Sequence, residues 1–180
     1  MSQMKPQDRR NNMHTIRILS AVAAITGFHC ALALPEDTQQ PVDVKYDNSL
    51  LLLDEGKEVY YGSPESPAEI IQGTLKVTGQ EITVERIDGE ISRVTLQGNP
   101  AHYQQQPAVD QALVMAEGET IILDYDAQHL QAIGSVSFSQ GADQWTGCQV
   151  DYYLETRRLS TPKCTDGTQA TAILGPRNEQ

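Results

Sequence analysis

Apolar and polar residues alternate with a period of two along much of the chain after residue 40. Clear examples are the segments PVDVKY (41–46), EITVER (81–86), SRVTLQG (92–98), TIILDYD (120–126) and SVSFSQG (135–141). Glycines separate many of these segments, whereas few windows show the 3.6-residue apolar period of a helix. Such short strands with turn signals between them predict an all-β sandwich, barrel or roll of roughly 12–18 strands. One face of the sheet should be dry and apolar and the other wet.

A repeat of the pattern supports this interpretation. The segments IIQGTLKVTGQEITV (70–84) and FSQGADQWTGCQVDY (138–152) both contain Gln-Gly, four residues, and then Thr-Gly. We predict a turn at Gln-Gly and a β-bulge at Thr-Gly. The apolar residues before the first Thr-Gly are odd-numbered and those after it are even-numbered, as expected where one extra residue resets the inward side. The repeat contains no catalytic residue, so it is architectural.

The first 33 residues have the features of a secretory signal peptide. Basic residues precede the apolar run ILSAVAAITGFHCALA (18–33), which ends in the small-x-small site Ala-Leu-Ala. A membrane span needs about 20 apolar residues, so an uncleaved anchor is the weaker alternative. Either Met1 or Met13 could start the chain. We therefore predict a signal peptide over 1–33, one domain over 34–175 and a disordered tail over 176–180.

The charge of the exported chain limits its partners. Cleavage after Ala33 removes four basic residues and one acidic residue, a net charge of +3, and takes the formal charge from −11 to −14. So acidic a protein is unsuited to nucleic acid, which binds through Lys and Arg. It is equally unsuited to passive adhesion to an anionic membrane surface.

Two cysteines, Cys148 and Cys164, remain after that cleavage, and an exported protein can oxidise them. A hairpin centred on Thr156 would place them opposite each other, within reach of a disulfide. The alternative is two unpaired thiols, with Cys148 as a small core residue. There is no Cys-x-x-Cys motif and no histidine at a ligand spacing, so we predict no metal site.

Residues suited to catalysis are scarce. His102 and His129 lie far apart in the sequence, and Asp124-Tyr125-Asp126 is better explained as a strand with its carboxylates in solvent. Neither a Gly-x-Ser-x-Gly elbow nor a phosphate-binding loop occurs. We therefore expect a protein that is not an enzyme and uses no cofactor; a secreted hydrolase would need a nucleophile and base that the sequence does not offer.

Several segments together resemble a known family. They are PVDVKYDNSLLL, QGTLKVTGQEITVER, GNPAHYQQ, ILDYDAQHLQAIGSVSFSQG and WTGCQVDYYLETRRL, and they extend over about residues 40–162. In this order and behind a signal peptide, they are similar to the periplasmic lipopolysaccharide-transport bridge proteins of Gram-negative bacteria, the LptA family with its OstA-like domain.

The resemblance implies an antiparallel, twisted β-jellyroll that is open at both ends. It implies a periplasmic protein that binds the acyl chains of lipid A in an apolar groove. It also implies end-to-end association with further copies and with homologous jellyroll domains of inner-membrane and outer-membrane partners.

Alternation and the family pattern together select the residues expected to line that groove. We expect Arg86 to meet a phosphate and His102 to lie at the rim. The apolar residues selected are Val42, Val44, Leu50, Leu52, Ile82, Val84, Val94, Leu96, Leu123, Tyr125, Val136, Phe138, Val150 and Tyr152. For each of them an ordinary core position is the alternative. If the whole dry face is core, the protein would be a periplasmic scaffold; a membrane-anchored partner of the same pathway is a further alternative.

Overall fold

The alternating segments form antiparallel β-strands in a computed structural model of the chain, which describes residues 36–176. The twelve strands are β1 (Asp43–Lys45), β2 (Asn48–Leu52), β3 (Lys57–Tyr61), β4 (Ala68–Gln72), β5 (Leu75–Gly79), β6 (Glu81–Ile87), β7 (Glu90–Gln105), β8 (Val114–Asp124), β9 (His129–Gln140), β10 (Asp143–Tyr153), β11 (Arg158–Ser160) and β12 (Thr171–Ile173). Two 3-10 turns, Asp37–Gln39 and Leu53–Glu55, are the only helical elements in this range. The predicted all-β class is confirmed. The predicted signal peptide and residues 177–180 of the predicted tail lie outside the described range.

The strands form one sheet that bends across its middle into two half-sheets. β7 to β10 are long enough to belong to both. The first half-sheet runs β1-β4-β5-β7-β8-β9-β10-β12 and contains residues 101–105, 114–118, 136–140 and 143–147 of the long strands. The second runs β2-β3-β6-β7-β8-β9-β10-β11 and contains residues 90–97, 120–124, 129–133 and 149–153.

The bend coincides with breaks in strand register. β7 and β8 shift register at 97/101 and 117/120, and β10 shifts at 147/149. The second Thr-Gly lies at the β10 shift, which confirms the predicted β-bulge. The bulge predicted at the first Thr-Gly is wrong, because β5 ends at Gly79 and β6 begins at Glu81, and the inward side changes across this break between two strands. A Cβ at Gly79 would come within 2.8 Å of the Gln97 carbonyl oxygen, which explains glycine where the two backbones approach.

The two Gln-Gly dipeptides close hairpins, also as predicted. Gly73 joins β4 to β5 and Gly141 joins β9 to β10, and their φ angles of 58° and 62° lie in the left-handed region. Glycine adopts this conformation without the steric cost that a side chain would bring. The two copies of the repeat therefore begin with hairpin turns of the same kind.

The inner faces of the half-sheets pack directly on each other beneath β8, β9 and β10. Phe138 of the first half-sheet lies 5.1 Å from Tyr152 of the second, measured between ring centroids. Trp145 is on the same inner face, 5.8 Å from Phe138. Leu130 and Val150 are fully buried beside them. We call this part of the interior the packed region.

A disulfide joins Cys148 to Cys164, with their Cα atoms 5.7 Å apart, and the predicted pairing is confirmed. The predicted register of this hairpin is off by one residue, which moves the centre of its turn by half a residue. β10 pairs Tyr152 with Leu159, so the turn is centred between residues 155 and 156, and β11 ends at Ser160. The register shift at Cys148 and the segment after β11 together bring the two cysteines into contact. The bridge fastens this segment, which leads to β12, onto the bend of β10.

Each half-sheet ends in a short strand on both sides. β1 and β2 are the outermost strands on one side, and β12 and β11 are the outermost strands on the other. Each of these four strands has a single strand partner among the described residues, so backbone groups on its other side are available for pairing. Within residues 36–176 there is no helix with the length and hydropathy to cross a bilayer.

Candidate functional site

An apolar cavity of about 260 Å³ separates the half-sheets beneath β1, β3 and β4. The first half-sheet contributes apolar side chains from β1 and the residue before it, and from β4 and β5: Val42, Val44, Ile70, Leu75 and Val77. The second contributes apolar side chains from β6, β7 and β8: Val84, Ile91, Val94 and Leu123. The remaining lining residues are Glu58, Tyr60, Gln72, Arg86 and Tyr125. We call this part of the interior the cavity region.

Strand register aligns these side chains on the inner face. Val44 pairs with Ile70 and Ile70 with Val77 across the first half-sheet. Val84 pairs with Val94 and Val94 with Leu123 across the second. Directly paired residues of antiparallel strands point to the same side, so alternation within each strand extends into a continuous apolar wall.

The charged groups in this wall are paired with each other. Glu58 and Arg86 are the lining residues with a formal charge. The Arg86 Nε donates to Glu58 Oε1 at 2.8 Å, and the Tyr60 hydroxyl donates to Glu58 Oε2 at 2.8 Å. Arg86 Nη1 also donates to the Gly89 carbonyl oxygen at 3.3 Å. Both oxygens of the carboxylate thus accept hydrogen bonds, and the wall has no net charge.

The environment of this cluster shifts two of its pKa values. Burial alone would raise the pKa of Glu58, but the hydrogen bonds from Arg86 and Tyr60 and the Arg86 charge outweigh it and lower that pKa below its usual value. Burial, together with the hydrogen bond to ionised Glu58, raises the pKa of Tyr60 to about 12. Glu58 is therefore a carboxylate and Tyr60 a neutral donor at neutral pH.

The structure brings together part of the residue set chosen from the sequence. The members that line the cavity are Val42, Val44, Val84, Arg86, Val94, Leu123 and Tyr125. A second group is on the inner face but away from the cavity wall: Ile82, Leu96, Val136, Phe138, Val150 and Tyr152, each at most 3% exposed. Phe138 and Tyr152 contact each other across the interior, and all six residues belong to the hydrophobic core.

The predictions for Leu50, Leu52 and His102 are corrected, because the structure places none of these three side chains on the cavity wall. Leu50 pairs with Val59 and Leu52 with Lys57, so both lie on the opposite face from Glu58 and Tyr60. The residue of β2 on the cavity's face is Leu51, which pairs with Glu58. Because residues 50–53 are four consecutive leucines, the sequence has no alternation there to reveal the face.

His102 is on the outer face of the first half-sheet and not at the rim of the cavity. Its neighbours Ala101 and Tyr103 are buried, which turns the side chain of His102 outward. There its Nδ1 lies 3.3 Å from Glu117 Oε1, beside a polar surface depression that includes Lys76 and Thr78. The alternation between Ala101 and Tyr103 was a signal that could have excluded it.

The sequence-based set missed half of the cavity wall: Glu58, Tyr60, Ile70, Gln72, Leu75, Val77 and Ile91. Four of these residues lie in the first copy of the repeat, and the inward side of two of them, Leu75 and Val77, was already apparent from the sequence. No local signal marks Glu58 as inward, because a carboxylate at that position of a strand ordinarily faces water.

Known proteins share the sequence pattern and the fold. The model of the family described as LptA/(LptD N-terminal domain) LPS transport protein matches residues 67–158. The lipopolysaccharide export system protein LptH of Pseudomonas aeruginosa is 30% identical over 161 residues, which are 89% of this chain and 89% of that protein.

A solved structure agrees with that match. The crystal structure of LptH from Pseudomonas aeruginosa is described as the LptA homologous periplasmic component of the conserved lipopolysaccharide transport device. It has a TM-score of 0.67 and 25% identity, and the match covers 79% of this chain and 100% of that one. The structural match confirms the predicted jellyroll.

Proposed function

Because this chain belongs to the family of LptA and the LptD N-terminal domain, we propose that it carries lipopolysaccharide across the periplasm by binding the acyl chains of lipid A in its cavity. Its periplasmic location, predicted from the signal peptide, agrees with the description of its relative. The carriage proposed is non-enzymatic.

The observation that supports acyl-chain binding is the composition of the cavity wall. Nine aliphatic side chains from both half-sheets face one space, and the Glu58–Arg86 pair contributes no net charge. Each CH₂ group of an acyl chain costs about 0.8 kcal/mol to expose to water. Several acyl chains therefore cannot cross an aqueous compartment while exposed to water. Contact with an apolar wall of this kind offsets the free energy of that exposure.

We further propose that the protein forms a bridge by docking through its outermost strands. β1 and β2 of one molecule would pair with β12 and β11 of the next, or with homologous jellyroll domains of inner-membrane and outer-membrane partners. Available strand edges are a hazard in most proteins, and β-strand addition makes use of them. In such a stack the cavities of successive molecules would line up.

Photo-crosslinking tests the binding proposal. A crosslinking residue at Val44 or Leu123, in the cavity wall, should capture lipopolysaccharide in cells. The same residue at Phe138, in the packed region, or at Asp124, paired with Arg93 on the outer face, should not. Equal capture of lipopolysaccharide at all four positions, or no capture at any of them in a folded periplasmic protein, would contradict binding in the cavity. The alternative of a periplasmic scaffold would then be favoured.

The bridge is tested at its edges. A crosslinking residue at Asp43 in β1 or at Ala172 in β12 should give covalent multimers of the chain or adducts with partner domains, and Asp124 is again the control. N-terminal sequencing of exported protein separates this carrier from a membrane-anchored partner, since cleavage predicts a start at Leu34.

A further inference from the structure

We propose that Glu58 competes internally with the anionic headgroups of ligands for Arg86, so that the cavity selects for apolar chains and not for headgroup charge. The inference rests on the proposed binding of acyl chains in this cavity. Glu58 would thereby set the specificity of the cavity and allow the ligand to be released. Arg86, which the sequence predicted to bind a phosphate, would instead be neutralised by Glu58.

The carboxylate of Glu58 already occupies the guanidinium of Arg86 in the absence of a ligand. Glu58 on β3 pairs with Val84 on β6, which makes Arg86 its diagonal neighbour on the same face. Diagonal neighbours of this kind are within reach of long side chains. The resulting contact between Arg86 Nε and Glu58 Oε1 is 2.8 Å. Both side chains line the cavity, and Glu58 and Arg86 remain 20% and 35% exposed, so neither is sealed from an incoming ligand.

Tyr60 makes the competitor rigid. Its hydroxyl donates to the second oxygen of Glu58, so the carboxylate is held from both sides. A phosphate from a ligand would have to displace an anion that is covalently part of the protein and therefore present at a high effective concentration. Charge-assisted hydrogen bonds of this type are the stronger ones in proteins, so the displacement returns little net free energy.

This arrangement suits a carrier. A free arginine at the mouth of an apolar cavity would add a strong contact to every anionic amphiphile, which would slow its transfer to the next site. With Glu58 present, ligand affinity comes from the buried chain, and the headgroup contributes little. Removing the negative charge of Glu58 should convert the site into one that retains anionic ligands.

The test compares two amphiphiles with the same chain, tetradecyl phosphate and the uncharged tetradecyl maltoside, below their critical micelle concentrations. Binding is measured by calorimetry at low ionic strength, where charge effects are largest. Wild-type protein should bind the two within about threefold of each other. Glu58→Gln keeps the size of the side chain and should raise the ratio of phosphate affinity to maltoside affinity about tenfold.

The chain offers a matched control. Glu69 accepts hydrogen bonds or ion pairs from Lys45 and Lys76 at 2.7 Å on the outer face, and its side chain is 15% exposed. Glu69→Gln makes the same change in net charge away from the cavity and should leave both affinities unchanged. The double variant Glu58→Gln/Arg86→Gln should lose the gain in phosphate affinity, because the gain depends on the released guanidinium.

The outcomes separate this inference from the function on which it rests. If wild-type protein binds neither amphiphile, acyl-chain binding in the cavity fails. If it binds both but Glu58→Gln gains nothing for the phosphate, the inference fails alone. If Glu58→Gln does not fold, the inference is tested by comparing wild-type protein with Arg86→Gln. A wild-type preference for the phosphate above tenfold that Arg86→Gln abolishes would overturn the inference. Near-equal affinities for the two amphiphiles in both proteins would support it.

Discussion

The cavity region and the packed region lie between the same two half-sheets, yet a cavity separates the half-sheets in the first and aromatic side chains are in contact in the second. Stacked sheets stand about 10 Å apart, and large side chains fill that distance. Phe138, Trp145 and Tyr152 meet in the packed region. The cavity wall contains neither Phe nor Trp, and the hydroxyl of its Tyr60 is bonded to Glu58.

The two regions differ in the position of a few aromatic residues, which fill the interior of the packed region. Residues 34–180 contain one Phe and one Trp, and both lie in the packed region. Valine, leucine and isoleucine line the cavity, where they make the wall apolar but are too short to meet across it. Substitutions in the two regions, removal of the disulfide and acid should each test this difference.

Leucine truncation should cost more in the packed region than in the cavity region. Leu130→Ala removes a fully buried side chain among close neighbours and should lower the free energy of unfolding by about 4 kcal/mol. Leu75→Ala only enlarges an existing void and should cost about 2 kcal/mol. Urea denaturation of both variants measures this, and equal losses would mean that the two regions are packed alike.

Loss of the disulfide should affect the packed side of the molecule. Its cysteines are 16 residues apart, and a closed loop of this size stabilises a protein by about 3 kcal/mol. We expect Cys148→Ser/Cys164→Ser to lose about that amount in urea denaturation. Hydrogen exchange should increase at β11 and β12 while β1 and β4 keep their protection. A uniform increase over all strands would contradict a local role for the bridge.

Added volume should be tolerated only where there is space. Val150→Phe overfills the packed region and should cost about 1–3 kcal/mol. Val84→Phe points into the cavity and should cost less than about 1 kcal/mol. The same Val84→Phe variant should lose binding of tetradecyl maltoside. A stable Val84→Phe protein with unchanged binding would place the ligand elsewhere.

Acid should remove the contribution of the Glu58–Arg86 pair. The pKa of folded Glu58 is below the usual 4.5, so ionised Glu58 stabilises the fold above that value, and its contribution is lost as the pH falls through the folded-state pKa. Wild type should therefore exceed Glu58→Gln in stability at pH 7, by less than about 1 kcal/mol.

The advantage should shrink as the pH is lowered below about 4.5. Urea denaturation of both proteins from pH 7 to pH 3.5 measures it. Lys45 and Lys76 likewise lower the pKa of Glu69, so Glu69→Gln serves as a second paired carboxylate and should show a pH dependence of the same sign. A difference between wild type and Glu58→Gln that does not change with pH would show that the pair contributes by shape and not by charge.

Much of the fold could be predicted because its signals are local. Gly73 and Gly141 mark turns, and the change from Leu75 and Val77 to Ile82 and Val84 marks the bend. Each of these depends on the conformation of a few consecutive residues. The cysteine pair was predicted in spite of a hairpin centre misplaced by half a residue, because β10–β11 pairing ends at Ser160 and no longer fixes which residue lies opposite Cys148.

Alternation along the chain predicts which side chains of most strands face inward, since side-chain direction has a period of two in any strand. Which of those side chains line the cavity depends on packing between the half-sheets. Leu123 and Phe138 follow the same local rule, and one faces the cavity while the other is core, because the opposite half-sheet offers different partners. The face of Leu50 and the Glu58–Arg86 pair depended likewise on register between strands far apart in the chain, which no local pattern records.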